Sequence, residues 1–161
     1  MLPSVVRTWA PVGQTPILKT PTKYEHLSVA SALTMTGKLV TSIQSSSFNG
    51  ASIVRFLKHL LAEIAGKIVL FWDGAPIHRC EEVKQFLREG GAKRLHLIRI
   101  PAYSPDLNPD AGVWHWLKHR LGNMSSLTLP ELGSELRQTI RALRYQRRIL
   151  KSFFRLAGLA I

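Results

Sequence analysis

The chain has 161 residues, of which 45% are hydrophobic, and a formal net charge of +12 at pH 7. This length fits one domain with a packed core, which excludes a disordered chain. A strongly positive surface favours partners that carry phosphate, with nucleic acid first and an anionic membrane surface second. One cysteine excludes an internal disulfide, and no apolar run reaches the roughly 18 residues of a membrane span. We therefore expect a cytoplasmic protein that binds nucleic acid.

Residues 1–47 have the composition of strands. The stretches "SVVRTWAP", "EHLSVASALTM" and "KLVTSIQSS" are rich in Val, Ser, Thr and Ile and are separated by turn residues. Gly37 in "TGK" predicts a tight hairpin turn. The sequence thus predicts three antiparallel strands.

The pattern becomes helical after Asn49, the predicted N-cap, and Gly66 predicts the helix end. The apolar positions at helical spacing are Ile53, Phe56, Leu57, Leu60, Leu61 and Ile64. The run "KIVLFWD" (67–73) is too short for a helix and predicts a strand covered on both faces. A short amphipathic helix over 81–89 and an alternating strand over 94–100 follow.

Residues 109–161 are predicted to be helical, with a break at "SSLTLP". Right-handed crossovers would place the later strands parallel to each other, so we expect a mixed α/β sheet flanked by helices. The chain then divides into strands (1–47), a half that carries the acidic loops (48–121) and a basic helical C-terminus (122–161), all in one domain.

Two acidic loops follow the two later strands. Asp73 ends one strand, and "PAYSPDLNPDAG" follows the next. Ligands of open α/β sheets bind at the carboxyl ends of strands, so the loops should meet at one edge. Carboxylates gathered there need cations, and their hard oxygens suit Mg²⁺ or Mn²⁺, the ions that support phosphodiester chemistry. Asp73 as a simple turn residue is the alternative.

The motifs "IVLFWDGAPIHR" and "LIRIPAYSPDLNPDAGVWHWLKHRL" closely resemble the second half of the DDE nuclease domain of insertion-sequence transposases in the mariner superfamily. The resemblance covers most of the chain and implies a ribonuclease H-like fold, Mg²⁺ or Mn²⁺ as cofactor, and transposon-end DNA as partner. The resemblance gives Asp73 the role of a metal ligand. His78 matches the usual histidine of the loop, which would orient the acid, contact DNA or simply bond within the loop.

This sequence departs from the family at two of three ligand positions. Ala111 stands where the family has its last acid, and the first acid would lie on a central strand upstream of Val5. We therefore expect an N-terminally truncated catalytic domain that lacks its first, central strand. Asp110 is the candidate substitute, although a helical neighbour is rotated by about 100°. Stabilisation of the helix start by capping and by the helix dipole is the alternative role of Asp110, and also of Asp106. The expected function is transposase chemistry that is impaired in this chain. A non-catalytic module that binds DNA, or that dimerises or pairs with a full-length transposase, is the alternative.

The C-terminal helices carry a series of cations with no acid after Glu135. Surface helices usually mix both signs, so phosphate contact is the favoured interpretation. A solvated helix face and a membrane-surface helix, suggested by "ILKSFFRLAGLAI", are the alternatives. The predicted DNA-binding residues are Arg137, Arg141, Arg144, Arg147, Arg148 and Lys151, and Arg155 extends the series.

Overall fold

The computed structural model describes residues 9–14, 26–101, 104–122 and 128–159. Strands and helices alternate in its central part, and helices follow one another in its last third. In chain order the strands and α-helices are β1 (Ser28–Leu33), β2 (Leu39–Gln44), α1 (Gly50–Glu63), β3 (Ile68–Trp72), α2 (Glu81–Arg88), β4 (Leu95–Arg99), α3 (Pro109–Arg120), α4 (Leu129–Arg144) and α5 (Arg147–Leu156).

β1 and β2 form an antiparallel hairpin, in register from Ser28 opposite Gln44 to Leu33 opposite Leu39. The turn between them is closed by the Gly37 amide, which donates to the Thr34 carbonyl at 2.8 Å. Gly37 has φ +81°, a value that residues with a side chain adopt only with strain. The predicted turn at this glycine is confirmed.

β3 and β4 pair in parallel, in register from Ile68 beside Leu95 to Trp72 beside Arg99. This confirms the parallel arrangement expected from the crossover through α2. The described strands form two separate pairs, because no strand among them hydrogen-bonds to both the hairpin and β3–β4. The predicted first strand, 4–11, lies mostly outside the described residues.

The predicted helix after Asn49 is confirmed, and its two ends are closed by different means. At the start, Asn49 Oδ1 accepts from the Ser52 amide at 2.9 Å while Ser52 Oγ accepts from the Asn49 amide at 2.8 Å. This reciprocal capping box satisfies N–H groups that the helix cannot. At the end, the Arg94 guanidinium donates to the carbonyls of Gly66 at 2.9 Å and Ile64 at 2.7 Å. α1 is thereby tied to the start of β4.

The β1–β2 hairpin lies between two hydrophobic cores. Leu39 and Val40 point to opposite faces, as neighbours on a strand must, and each is almost fully buried. Leu39 belongs to a core shared with the C-terminal helices, whose buried members are Leu39, Val113, Leu117, Leu136, Ile140, Leu143, Leu150 and Phe153. Val40 belongs to a core shared with α1, α2 and β4, whose buried members are Val40, Ile53, Phe56, Leu57, Leu60, Val83 and Leu95.

The prediction that β3 is covered on both faces is wrong. Ile68, Leu70 and Trp72 pack on the core beneath α1 and α2. On the opposite face, Val69 is 55% exposed and Phe71 62% exposed. The C-terminal helices, which could have covered this face, pack against the hairpin instead.

The C-terminal helical region divides at two places. The predicted break at "SSLTLP" falls partly on residues 123–127, which lie outside the described residues. A second break, at Tyr145 and Gln146 between α4 and α5, was not predicted. Within the described ranges, no helix combines the length and apolar character needed to cross a membrane.

Gly112 allows α3 and α5 to approach closely. A Cβ atom built on Gly112 would lie 2.6 Å from Cδ1 and 3.0 Å from Cβ of the buried Phe153. We expect Gly112→Ala to lower the free energy of unfolding by about 1–3 kcal/mol, because overpacking outweighs the better helix propensity of alanine. Urea denaturation followed by circular dichroism measures the change.

Gly133→Ala is the matched control, since Gly133 also lies within a helix but its added Cβ would meet the end of the Arg137 side chain at 3.4 Å and Leu27 at 3.6 Å. This variant should be stabilised by about 0.5–1 kcal/mol. Equal effects of the two substitutions would contradict the close packing at Gly112.

Candidate functional site

Asp73 follows β3 directly, and its side chain is 65% exposed at the carboxyl end of the strand. Its Oδ1 atom accepts from the Ala75 amide at 3.0 Å, which closes a turn of the loop over its own aspartate. Oδ1 also lies 2.9 Å from Nδ1 of His78. None of the hydrogen bonds among the described residues uses Oδ2, and the carboxylate is exposed.

Arg99 ends β4 beside this loop. Its guanidinium lies over Gly74, where a Cβ atom would come within 2.7 Å of Nε and Nη2. The parallel register explains the placement, because Arg99 is the partner of Trp72, the residue before Asp73. The positively charged Arg99 side chain therefore lies over Gly74, the residue that follows the candidate ligand Asp73.

The "SPDLNP" segment forms the tight entry to α3 that its prolines and Asn108 predict. Residues 105–107 make a short 3₁₀ turn, and Pro109 is the first residue of the helix. Asn108 caps the helix by accepting from the Asp110 amide at 3.0 Å.

The Asp110 carboxylate is directed into the protein. Its Oδ2 atom accepts from Ser31 Oγ of β1 at 2.7 Å and from Trp114 Nε1 at 3.0 Å. Oδ1 is buried and has no hydrogen-bond partner among the described residues. Burial raises the pKa of the Asp110 carboxyl above its ordinary value, and the bonds from Ser31 and Trp114 offset this only in part.

The described residues therefore fit a divalent cation only in part. Asp73 offers an exposed carboxylate whose Oδ2 has no hydrogen-bond partner among the described residues. Asp110 Oδ1 has no hydrogen-bond partner among the described residues, but burial disfavours the charged form of this carboxyl, and the Ala111 side chain has no donor atom. Among the described residues, no group of three or more His, Cys, Asp or Glu side chains could hold a metal ion. No hydrogen bond or ion pair of those residues joins Asp73 to Asp110, so their predicted meeting stays a prediction.

The basic residues predicted to bind DNA lie on α4 and α5 or begin α5, and all are exposed. None of the ion pairs among the described residues involves them. The exposed set is Arg137, Arg141, Arg144, Arg147, Arg148, Lys151 and Arg155. The two helices therefore present cations that form no ion pair with a described carboxylate, although Arg144 is close enough to Glu63 to help lower the pKa of that carboxyl.

Arg144 differs from the rest of this set. Its Nε donates to the Leu39 carbonyl at 3.1 Å and its Nη2 to Thr41 Oγ1 at 2.9 Å, which joins α4 to β2. Arg144 and Arg147 also line a cleft of about 570 Å³ beside the hairpin. Part of the Arg144 donor capacity thus stabilises the fold.

Sequence reasoning located Asp73, His78 and the entry to α3, but it missed Ser31 and the placement of Arg99. Ser31 could have been found, because it interrupts the apolar face that Val29 and Leu33 define on β1. For Arg99, the sequence predicted only that it could lie on one face of the second of the two later strands. Its position beside Asp73 follows from the register of β3 and β4.

The chain is similar to known proteins in both sequence and structure. The profile of the DDE superfamily endonucleases matches residues 3–132. A search of curated proteins found no match. The Mos1 strand transfer complex matches 97% of this chain with a TM-score of 0.64 and 16% identity, and the match covers 50% of that chain. The Mos1 mariner paired end complex with Mn matches 98% of this chain with a TM-score of 0.64 and 15% identity, and the match covers 51% of that chain.

The catalytic domain of Mos1 mariner transposase matches 83% of this chain with a TM-score of 0.56 and 15% identity, and 74% of that domain is covered. The chain thus spans about half the length of the proteins in the two complexes. Its fold is the ribonuclease H-like α/β fold of a transposase catalytic domain. The profile match, over most of the sequence, shows that the chain belongs to the DDE endonuclease superfamily, and its structural likeness is to mariner transposase.

The raised pKa of Asp110 predicts a pH dependence of stability. The folded protein holds this proton more tightly than the unfolded chain, in which the carboxyl titrates near 3.8. The protonated Asp110 therefore adds to the free energy of unfolding, and this contribution is complete below pH 3.8. It is lost as the pH rises from 3.8 through the folded-state pKa. Asp110→Asn has no proton to lose, so its stability relative to wild type should rise across this window and then level off.

Urea denaturation from pH 3 to 8 tests this pH dependence. Asp106→Asn, the same substitution at an exposed aspartate, is the control. The side-chain amide that Asp110→Asn introduces adds a constant cost, because it does not titrate in this range. A stability difference between Asp110→Asn and wild type that is flat across the range would contradict the burial of a neutral carboxyl.

Proposed function

We propose that this chain is part of the catalytic domain of a mariner-like DDE transposase, which binds transposon-end DNA through α4 and α5 and has little or no DNA cleavage activity alone. The observation that carries the proposal is the combination of one accessible carboxylate, Asp73, with an unneutralised basic surface on a transposase fold. The lineage chemistry is metal-dependent cleavage and transfer of DNA strands.

The basic surface supports DNA as the partner. DNA binding releases counterions from the phosphates, so cations that no carboxylate neutralises contribute most to affinity. The Arg137 and Arg141 side chains are one helical turn apart on α4, at a spacing that lets both face the same phosphate backbone. A Cβ atom built on Gly37 of the hairpin turn would lie 3.7 Å from Cβ of Arg147 and 3.7 Å from Cγ of Lys151, so the start of α5 lies beside this turn.

The arrangement of the carboxylates supports the proposal that DNA cleavage is impaired. In this class of reaction, carboxylates hold divalent ions, which would supply activation of the attacking oxygen and stabilisation of the leaving oxygen. Asp73 can contribute Oδ2 to one ion. Asp110 would need its buried carboxyl to ionise, and Ala111 contributes nothing.

A cation at Asp73 would be held weakly without DNA. Mg²⁺ commonly keeps several waters and is bound through one or two carboxylates together with substrate phosphates. We infer that Mg²⁺ or Mn²⁺ binds to this chain mainly when phosphate oxygens are present. DNA binding through the helices and cation binding at Asp73 would then reinforce each other.

A non-catalytic module that binds DNA or pairs with another transposase chain, including a second copy or a longer relative, is the second candidate. The open face of β3–β4 favours pairing, because Val69, Phe71 and Ile98 expose apolar area that single domains usually cover.

The DNA-binding proposal predicts a specific salt dependence. We expect Arg137→Gln with Arg141→Gln to weaken duplex binding and to reduce the slope of log affinity against log salt by roughly 1.8, at about 0.9 for each lost phosphate contact. Fluorescence anisotropy with a labelled transposon-end duplex between about 50 and 200 mM salt measures this slope.

The double variant Arg55→Gln with Arg88→Gln removes the same net charge from α1 and α2 and serves as control. It should leave the slope close to that of wild type. If both double variants change the slope equally, general charge and not the α4 surface controls binding.

The cleavage proposal predicts that wild-type chain with Mg²⁺ or Mn²⁺ nicks supercoiled plasmid no faster than Asp73→Asn. Ala111→Glu restores the missing acid and should tighten Mn²⁺ binding on the order of tenfold, since affinity rises with ligand charge. Gel analysis of plasmid and electron paramagnetic resonance of free Mn²⁺ measure the two effects. Robust nicking by wild type that disappears in Asp73→Asn would overturn the proposal of an impaired domain.

A further inference from the structure

The cleft beside the β1–β2 hairpin collects basic side chains from separate parts of the fold. Lys38 comes from the hairpin turn, His59 from α1, Arg144 from the end of α4 and Arg147 from the start of α5. Glu63, at the end of α1, is the one acidic residue among the described residues that line the cleft. Its volume of about 570 Å³ falls in the range of ligand pockets, roughly 300–1,000 Å³. The cleft thus has room for a phosphate together with the groups bonded to it.

The acid in this cleft is already balanced by a cation. Lys38 Nζ lies 2.9 Å from Glu63 Oε2 and also donates to the Glu63 backbone carbonyl. This bond and the charge of Lys38 hold the pKa of the Glu63 carboxyl below its ordinary value, and the charges of His59 and Arg144 lower it further. Lys38 and Glu63 therefore offset each other, and the excess positive charge of the cleft comes from Arg144 and Arg147.

The two arginines keep donors that the described fold does not use. Arg144 gives Nε to the Leu39 carbonyl and Nη2 to Thr41 Oγ1, which leaves Nη1 without an acceptor among the described residues. The exposed Arg147 side chain takes part in no ion pair among those residues. Guanidinium groups present their N–H donors in a planar fork that matches phosphate oxygens. The cleft therefore combines excess positive charge with unused donors, which is the chemistry that binds phosphate.

Contacts between the walls hold these cations in place. Arg144 joins α4 to β2, and the Lys38–Glu63 pair joins the hairpin turn to the end of α1. A Cβ atom built on Gly37 would lie 3.5 Å from the Arg147 carbonyl oxygen, so the turn also contacts the start of α5. Walls that are fixed before binding reduce the conformational entropy that a ligand must cost.

We propose that this cleft is a phosphate-binding site, in which the guanidinium groups of Arg144 and Arg147 bind one phosphate of a DNA backbone. The inference rests on the proposed function, which names DNA as the partner and places its contacts on α4 and α5. The cleft adds a fixed contact that the hairpin turn and the end of α1 share. A free phosphate ion has the same binding chemistry, so the experiment tests both sources.

Wild-type chain tests the site directly. The amide signals of Thr36, Gly37 and Lys38 in ¹H–¹⁵N spectra of the full chain report on the cleft at constant ionic strength. Inorganic phosphate and a short DNA duplex without terminal phosphates are added in separate titrations. We expect saturable shifts of these signals with the duplex, and with inorganic phosphate at higher concentration. Shifts with inorganic phosphate alone would overturn the assignment to DNA, and the lack of a saturable shift with either probe would overturn the site.

Arg147 can be compared with the next residue along the chain. Arg148 is also an exposed arginine in the first turn of α5 but does not line the cleft. We expect Arg147→Gln to weaken duplex binding by about five- to tenfold, the effect of a lost charge-assisted hydrogen bond, and Arg148→Gln to cause a smaller loss. Fluorescence anisotropy at fixed salt measures both affinities. Equal losses would mean that the general charge of α5, and not the cleft, binds the phosphate.

Glu63→Gln gives a test of opposite sign. It removes the acid from the cleft and releases Lys38, so duplex binding should tighten by roughly two- to fivefold, the size of one charge interaction at an exposed site. Glu89→Gln, at an exposed acid that follows α2 and lies outside the cleft, is the control and should give a smaller gain. Damage to the fold would weaken binding, so a gain cannot come from that source. A gain for Glu63→Gln no larger than that for Glu89→Gln would contradict the site.

The outcomes separate this inference from the proposed function. If wild-type chain binds no duplex even at low salt, the proposed function fails, and the cleft is not a DNA site. If the duplex binds and Arg137→Gln with Arg141→Gln weakens it, but the cleft signals do not shift, the proposed function stands and only the phosphate site in the cleft is overturned.

Discussion

The parallel register of β3 and β4 determines where the candidate chemistry lies. Trp72 stands beside Arg99, so the residues that follow each strand leave the sheet at the same edge. Asp73, the Gly74 backbone under the Arg99 guanidinium, and the turn that carries His78 are all placed by this one pairing. The pairing itself depends on Ile68, Leu70 and Leu95, which bury one face of both strands against α1 and α2.

Asp110 is subject to two conflicting physical demands. As a ligand it would have to be charged, whereas its burial favours the neutral form. Its bond from Ser31 joins the start of α3 to β1, and its bond from Trp114 lies within the first turns of α3. Oδ1 has no partner among the described residues, so this part of the structure contains a buried acceptor that a cation or a donor could still satisfy. The same carboxylate cannot fully serve packing and metal binding.

Much of the local fold could be predicted from the sequence, because local chemistry decides it. The Asn49 side chain can accept a bond at a helix start, and Asn49 does cap α1. Gly37 has no side chain and suits a tight turn, which it forms with a positive φ. The exposed face of β3 could not be predicted from its apolar composition, since coverage depends on which partner the distant helices choose. The Asp73 carboxylate could be placed at a strand end, but the inward turn of Asp110 depends on Ser31, some 79 residues away.

The basic helices combine a structural role with a candidate binding role. Arg144 uses its planar donors to bridge α4 and β2, a geometry that a lysine ammonium could not reproduce. Because that bridge orients α4, it also fixes the direction in which Arg137 and Arg141 extend from the same helix. A loss of Arg144 would therefore loosen the helix that carries Arg137 and Arg141, and under the proposed function it would weaken DNA binding even if the Arg144 guanidinium never contacts DNA.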